Sequence, residues 1–168
     1  MQILNSYNDP RIKVFKNDKN SGSVETLNNL IELSKGEYIS RQDNDDISFP
    51  ERLEKQVSFL YKNYDIGICG SNATIFVELN KKTLVPIEDE KIRTHMIFNN
   101  PMLHPTVMYR KSLFENLNIA KYNESLCPAE DYAMWFEIFK KSEIIPDMSF
   151  TSFEAGMHKT YQWLVEQL

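Results

Sequence analysis

Three aspartates within four positions are the residues of this chain best suited to chemistry. Asp43, Asp45 and Asp46 stand between a short apolar run that begins at Tyr38 and a helix start marked by Pro50. Clustered carboxylates repel one another unless protons or a cation intervene, and oxygen ligands suit a hard divalent ion such as Mg²⁺ or Mn²⁺. A solvated turn is the alternative, because Asp and Asn favour turns through their own side-chain hydrogen bonds.

The flanking elements are predicted to place these acids at the end of a strand. The run from Tyr38 to Gln42 is typical of a strand, entered from a helix that stops at Gly36. Ser48 and Glu51 have the spacing of a capping box that starts the next helix. The C-terminal end of a strand in an open α/β sheet is where ligands bind. A calcium EF-hand loop is excluded, because Ser48 stands where that loop needs Gly.

Three further polar residues could take part in chemistry. Glu130 and Asp131 open a predicted helix, although acids in a first helical turn are favoured by the helix dipole alone. His104 lies in a loop that leads into a strand, and a lone His is more often structural than catalytic. The sequence by itself therefore leaves both the structural and the functional interpretation of these residues open.

Composition limits the class of protein and its partners. The 168 residues fit one domain with a sizeable core, and the net charge of −5 argues against a nucleic-acid partner. The two cysteines do not make a disulfide framework, and Cys69 is predicted to be a small buried apolar residue. No apolar run approaches membrane-spanning length. We therefore expect a cytoplasmic protein, with peripheral attachment at the inner face of the membrane left open.

Hydrophobic periodicity predicts an alternation of strands and helices. Strands are predicted at 11–15, 38–42, 65–70, 73–78 and 106–109, a turn at 80–82, and helices at 23–34, 51–61, 88–98, 112–116 and 130–140. The helical spacing assigns Leu53, Val57, Leu60 and Tyr61 to the buried face of the second helix. This alternation indicates α/β architecture.

Several separate motifs follow one another in a specific order. They are Gly22, Gly36-Glu37-Tyr38-Ile39, Arg41-x-Asp43-x-Asp45-Asp46-Ile47-Ser48-x-Pro50-Glu51-Arg52-Leu53-x-x-Gln56, Asn100-Pro101-x-x-His104-Pro105-Thr106-Val107-Met108-x-Arg110 and Glu130-Asp131-Tyr132-x-x-Trp135. In this order they closely resemble the family-2 glycosyltransferases of the GT-A fold, which build cell-surface polysaccharides. The resemblance runs from about Ile3 to Phe139.

The resemblance implies a metal-dependent donor site for a nucleotide-sugar. Asp45 would hold Mn²⁺ or Mg²⁺, with Asp43 or Asp46 assisting, and the ion would stabilise the leaving nucleoside diphosphate. Arg41 and Asp43 would belong to the donor side, with Asp43 near the ribose.

The resemblance also implies a base and an acceptor side. Asp131 matches the general base, which takes the proton of an acceptor hydroxyl during a single displacement with inversion. Glu130 would orient that base or contact the acceptor, which is a glycan or a lipid-linked sugar. His104 would line the acceptor side, and Trp135 belongs there by position, although its type and spacing favour a core residue.

The chain also departs from the family pattern. The resemblance implies an incomplete GT-A (Rossmann-like) domain over 1–143 that lacks its first strands, and with them the part that grips the nucleoside base. Residues 144–168 are predicted to form a tail with a C-terminal amphipathic helix, and its run from Thr151 to Trp163 resembles the last helix of sugar-nucleotide epimerases and reductases. NAD binding is rejected, because the chain has no glycine-rich dinucleotide motif.

Three hypotheses remain at this stage. The leading one is a sugar transferase whose activity is impaired by the missing strands. The second is a non-catalytic remnant that serves as an interaction or assembly module, with self-association through exposed sheet edges or the tail helix. A phosphoryl-transfer or hydrolytic enzyme that uses the same aspartates is the third, which neither a P-loop nor a nucleophile motif supports.

Overall fold

The computed structural model describes residues 7–64, 66–75, 81–86, 89–116 and 121–142. The predicted tail helix and the domain boundary at 143–144 lie outside these residues. None of the helices in the described ranges is long and apolar enough to cross a membrane.

Helices and strands are interspersed along the chain, in agreement with the predicted α/β class. The helices are α1 (Gly22–Leu33), α2 (Arg52–Lys62), α3 (Asp89–Phe98), α4 (Ser112–Asn116) and α5 (Glu130–Ser142), with short 3₁₀ helices at His104–Thr106 and Glu124–Leu126. The strands are β1 (Tyr38–Ser40), β2 (Ile68–Cys69), β3 (Thr74–Ile75), β4 (Lys81–Lys82) and β5 (Met108–Arg110).

A three-stranded sheet in the order β1-β5-β2 organises the described part of the chain. Both outer strands run antiparallel to β5, so Ser40 at the end of β1 pairs with Met108 at the start of β5. The segments that follow β1 and β2 therefore meet the segment that precedes β5 at one edge of the sheet. β3 and β4 form a separate hairpin.

One hydrophobic core joins this sheet to the helices. Its buried side chains include Val24, Ile31, Phe59, Leu60, Ile68, Cys69, Val107, Tyr109, Leu113, Met134 and Trp135. Cys69 is buried as predicted, and burial raises the pKa of its thiol to about 12. Gly67 lets the backbone before β2 pass close to α4, because a Cβ there would lie 2.6 Å from a methyl carbon of Leu113.

The strand predicted at 11–15 is wrong. Asp9 turns the chain instead, since its carboxylate accepts from the backbone N–H of Arg11 and its carbonyl accepts from Ile12. Val14 and Phe15 stay exposed. A strand needs a neighbour for its backbone groups, and no described strand pairs with this segment.

The capping box predicted for α2 is also wrong. The helix begins at Arg52, its N-cap residue is Glu51, and no side chain caps it. The Ser48 hydroxyl instead contacts the side chain of Gln42 and accepts from Arg52. Ser48 therefore stabilises the loop that carries the aspartates rather than the start of the helix.

The buried face predicted for α2 is correct only at Leu60. Leu53, Val57 and Tyr61 are exposed, whereas Gln56, Phe59 and Leu60 are buried. The helix is rotated because the Gln56 amide donates to the backbone carbonyl of Thr106 at 2.8 Å. A side-chain amide whose hydrogen bonds are made can be buried at little cost in free energy. The periodicity of apolar residues does not predict such a buried polar residue.

Several element bounds differ from the prediction. Lys81–Lys82, predicted as a turn, is the second strand of the hairpin with Thr74–Ile75. The strand predicted to start at Thr106 starts at Met108, because His104–Thr106 forms a 3₁₀ helix. α1 ends at Leu33 since Ser34 is already extended.

Candidate active site

The segment that follows β1 carries Arg41 and Asp43 against the sheet edge. The backbone N–H of Arg41 donates to the carbonyl of Val107 at 3.0 Å and extends the pairing of β1 with β5 by one residue. The guanidinium of Arg41 forms an ion pair with the carboxylate of Asp43. Two of the three predicted donor-side residues, Arg41 and Asp43, thus lie together just after β1.

Asp45 and Asp46 lie further out on the same loop and are exposed. Asp45 makes no hydrogen bond to any residue in the described ranges, so its carboxylate is open to a ligand. Asp46 instead interacts electrostatically with Arg52.

The residues present fit a metal only in part. Within the described ranges, no group of three or more His, Cys, Asp or Glu side chains could hold an ion. A divalent ion at Asp45 would therefore need further oxygen ligands from water or from a ligand phosphate, which is how Mg²⁺ is commonly bound.

His104 opens the 3₁₀ helix that precedes β5. Arg41 and Asp43, which follow β1, lie within electrostatic reach of its ring. The Nε2 atom of His104 lies 2.7 Å from the Tyr122 hydroxyl, and its ring packs edge-on against Trp135 with 6.1 Å between ring centroids. Burial lowers the pKa of His104, and the nearby positive charge of Arg41 acts in the same direction. The neutral imidazole is therefore favoured.

The charges that act on His104 show which predicted residues the fold brings together. Asp43, Glu130 and Asp131 each oppose the lowering of its pKa, so all three carboxylates lie within electrostatic reach of the ring. Asp43 follows β1, whereas the other two open α5, more than eighty positions later. One predicted donor-side acid and both predicted base-side acids thus lie within electrostatic reach of one imidazole.

Asp131 is held from two directions. Its Oδ2 accepts from the side-chain amide of Asn100 at 2.7 Å, and its Oδ1 accepts from the backbone N–H of Tyr132 at 2.6 Å. The amide of Asn100 is itself oriented, since its Oδ1 accepts from the N–H of Met102 at 3.1 Å. Each carboxylate oxygen keeps a second lone pair, so Asp131 can still accept a proton.

Glu130 and Trp135 each bury a polar atom. The Glu130 Oε2 atom and the Trp135 Nε1 atom are both buried and have no hydrogen-bond partner among the described residues. Trp135 is 0% exposed and packs beneath His104. Its ring therefore belongs to the core, as its type and spacing predict.

Sequence reasoning missed four residues that support this site. Tyr122 contacts His104 and hydrogen-bonds to Tyr109, and burial raises the pKa of both phenols, that of Tyr109 to about 12. Asn100 orients Asp131, and Arg52 binds the aspartate loop. Only Asn100 and Arg52 left a signal, because both stand inside the motifs that carried the resemblance.

Comparison with known proteins identifies the family. The family model for glycosyl transferase family 2 matches residues 1–141. EpsE of Bacillus subtilis, named as a glycosyltransferase, is 33% identical over 140 residues, which cover 83% of this chain and 50% of EpsE. A protein of Methanocaldococcus jannaschii that is also named as a glycosyltransferase is 31% identical over 141 residues, which cover 80% of this chain and 47% of the relative.

A third relative is named for the biosynthesis of amylovoran. The amylovoran biosynthesis glycosyltransferase AmsE of Erwinia amylovora is 31% identical over 123 residues, which cover 72% of this chain and 45% of AmsE. The chain spans about half the length of the curated relatives it matches. Since the family model covers most of its residues, the chain belongs to glycosyl transferase family 2.

Proposed function

We propose that this protein transfers a sugar from a nucleotide-sugar donor to a glycan or lipid-linked acceptor during the synthesis of a surface polysaccharide. The observation that carries the proposal is that Asp43, which follows β1, and the two acids that open α5 all lie within electrostatic reach of His104. The names of two relatives support the polysaccharide, since one is named for amylovoran biosynthesis and another for O-antigen biosynthesis.

The donor side of the proposal uses the aspartate loop. Asp45, with Asp43 or Asp46 assisting, would hold Mn²⁺ or Mg²⁺, whose charge would stabilise the leaving nucleoside diphosphate. Arg41 binds Asp43 and thereby fixes its carboxylate at the sheet edge. The exposed carboxylate of Asp45 supports this assignment, because it is open to a ligand.

The acceptor side uses the start of α5. Asp131 takes the proton of the acceptor hydroxyl as that hydroxyl attacks the anomeric carbon, and the nucleoside diphosphate leaves from the opposite face with inversion. Its bonds to Asn100 and Tyr132 support this role, because they fix the orientation of the carboxylate. Glu130 orients Asp131 or contacts the acceptor, and neutral His104 lines the acceptor side of the site.

The reaction would take place in the cytoplasm, at the inner face of the membrane where a lipid-linked acceptor would be met.

Calorimetric titration tests the donor side. Uridine and guanosine diphosphates are titrated with and without Mn²⁺ into the wild-type chain and the Asp45→Asn variant. We expect metal-dependent binding that weakens by roughly tenfold or more in the variant, because a charged ligand of the ion is lost. Glu54→Gln, an exposed acid on α2, is the control and should bind like the wild type.

A transfer assay tests the acceptor side with the same proteins. Asp131→Asn should retain diphosphate binding and lose at least about 100-fold in transfer rate, as expected for loss of a general base. If the wild type shows no binding at millimolar diphosphate, the enzyme proposal fails and a non-catalytic module remains. If Asp131→Asn transfers sugar at the wild-type rate, another residue is the base.

A further inference from the structure

Arg52 makes more hydrogen bonds to the aspartate loop than any role at the start of a helix requires. It is the first residue of α2 and is only half exposed. Its guanidinium donates to the Arg41 carbonyl at 2.8 Å, Gln42 Oε1 at 2.7 Å, Ser48 Oγ at 2.9 Å, Ser40 Oγ at 3.2 Å and Gln56 Oε1 at 3.1 Å.

The partners of Arg52 lie on both sides of the three aspartates. Gln42 precedes them and Ser48 follows them, so one planar group holds the two ends of the loop together. The rigid fork of an Arg suits such a task, because its donors point in fixed directions from a single plane.

The same guanidinium attaches the loop to the sheet. Ser40 ends β1, and the carbonyl of Val107, which precedes β5, lies 3.5 Å from Arg52 Nη2. Gln56 completes the connection, since its amide accepts from Arg52 and donates to the carbonyl of Thr106 next to His104. The loop and the 3₁₀ helix of His104 are thus held at a common edge by Arg52 and Gln56.

Charge adds to this arrangement. Asp46 lies within electrostatic reach of Arg52, so the guanidinium places a positive charge near the last of the three clustered aspartates. Like charges on one loop repel, and a nearby cation reduces the cost of holding them close together.

We propose that Arg52 is the positioning residue of the donor site: it closes the loop 42–48 and fixes Asp43 and Asp45 for the donor without touching the donor. This inference rests on the proposed function for the donor, whereas the closure of the loop can be tested without it.

Arg110 offers a matched control inside the same sheet. It is buried and its guanidinium also binds backbone carbonyls, Leu60 O at 2.6 Å and Ile66 O at 2.9 Å. It pairs with Tyr38 at the start of β1, at the opposite end of the strand pair from the loop. Arg52→Lys and Arg110→Lys therefore remove comparable bonds and differ in the end of the sheet that they affect.

The first measurement is hydrogen–deuterium exchange of the loop amides at 42–48. We expect faster exchange in Arg52→Lys than in the wild type, and no change there in Arg110→Lys, because one ammonium cannot reach both ends of the loop. Gln42→Met removes a single acceptor of Arg52 and serves if Arg52→Lys does not fold. Unchanged loop exchange in a folded Arg52→Lys protein would overturn the inference.

The second measurement is binding of uridine or guanosine diphosphate with Mn²⁺. Arg52→Lys should raise the dissociation constant by roughly tenfold or more, whereas Arg110→Lys should leave it unchanged even if it lowers stability. Equal weakening by both variants would make Arg52 a merely structural residue. If the wild type binds no diphosphate while Arg52→Lys still loosens the loop, the proposed function fails, the donor role falls with it, and loop closure stands.

Discussion

His104 is the residue through which acid should disturb the candidate site. Burial lowers its pKa below the usual 6.5, so the unfolded chain binds this proton more readily than the folded protein does. The stability that neutral His104 contributes is therefore complete above about pH 6.5 and is lost as the pH falls through the window below that value.

Replacement of the imidazole by a group that does not titrate isolates this effect. His104→Gln should lose less stability than the wild type between pH 7.5 and 5.5, when urea unfolding is measured at both values. Identical pH dependence of the wild type and His104→Gln would show that the protonation of His104 is not coupled to folding.

Residues close together in sequence could be predicted as a site from their spacing, whereas residues of distant segments were joined to it only by the family resemblance, and their side-chain partners were not predicted. Asp43 and Asp45 stand out because their spacing is local. The bond between Asn100 and Asp131 spans 31 positions, and the contact between His104 and Tyr122 spans 18. Such pairs depend on how the helices and strands pack against one another. The local sequence pattern of either segment does not predict that packing.

At the scale of elements, α2 shows what hydrophobic periodicity can and cannot predict. The helix has two apolar stripes, one through Leu53, Val57 and Tyr61 and one through Phe59 and Leu60. Only the second is buried, because Gln56 is satisfied inside by Thr106 and turns that side inward. The existence of the helix was predictable from its spacing, and its rotation was not.

Substitution of two leucines of α2 tests which face of the helix is buried. Leu60 is 0% exposed and Leu53 is 52% exposed. Leu60→Ala should cost about 2–5 kcal/mol of unfolding free energy, since it leaves a cavity in the core. Leu53→Ala should stay within about 0.5 kcal/mol of the wild type. Urea unfolding checks both, and equal losses would mean that the helix presents its other face to the core.

Strand direction was a second feature that the sequence did not encode. The strands at 38–40 and 108–110 were predictable from their apolar runs, but their antiparallel pairing was not. That pairing matters for the site, because it sets the end of β1 beside the start of β5. For this reason, Arg41, which follows β1, and His104, which precedes β5, lie at the same end of the strand pair.

For the molecule as a whole, β1 is an edge strand of the sheet and a candidate for pairing with another chain. It pairs with β5 on one side, and within the described ranges no strand covers its other side. Arg41 and Glu37 bond toward β5, so the alternation of an antiparallel ladder turns the backbone groups of Ser40 toward the open side. An open edge of this kind favours strand pairing between chains.

We therefore expect concentration-dependent self-association that Ser40→Pro abolishes. Proline removes the N–H on the open side and is tolerated at sheet edges. Ser40→Ala is the matched control, because it loses the same hydroxyl bond to Arg52 but keeps the N–H. Light scattering over a range of concentrations should find oligomers for the wild type and Ser40→Ala and monomers for Ser40→Pro. A monomeric wild type, or identical behaviour of the two variants, would exclude this edge as the contact.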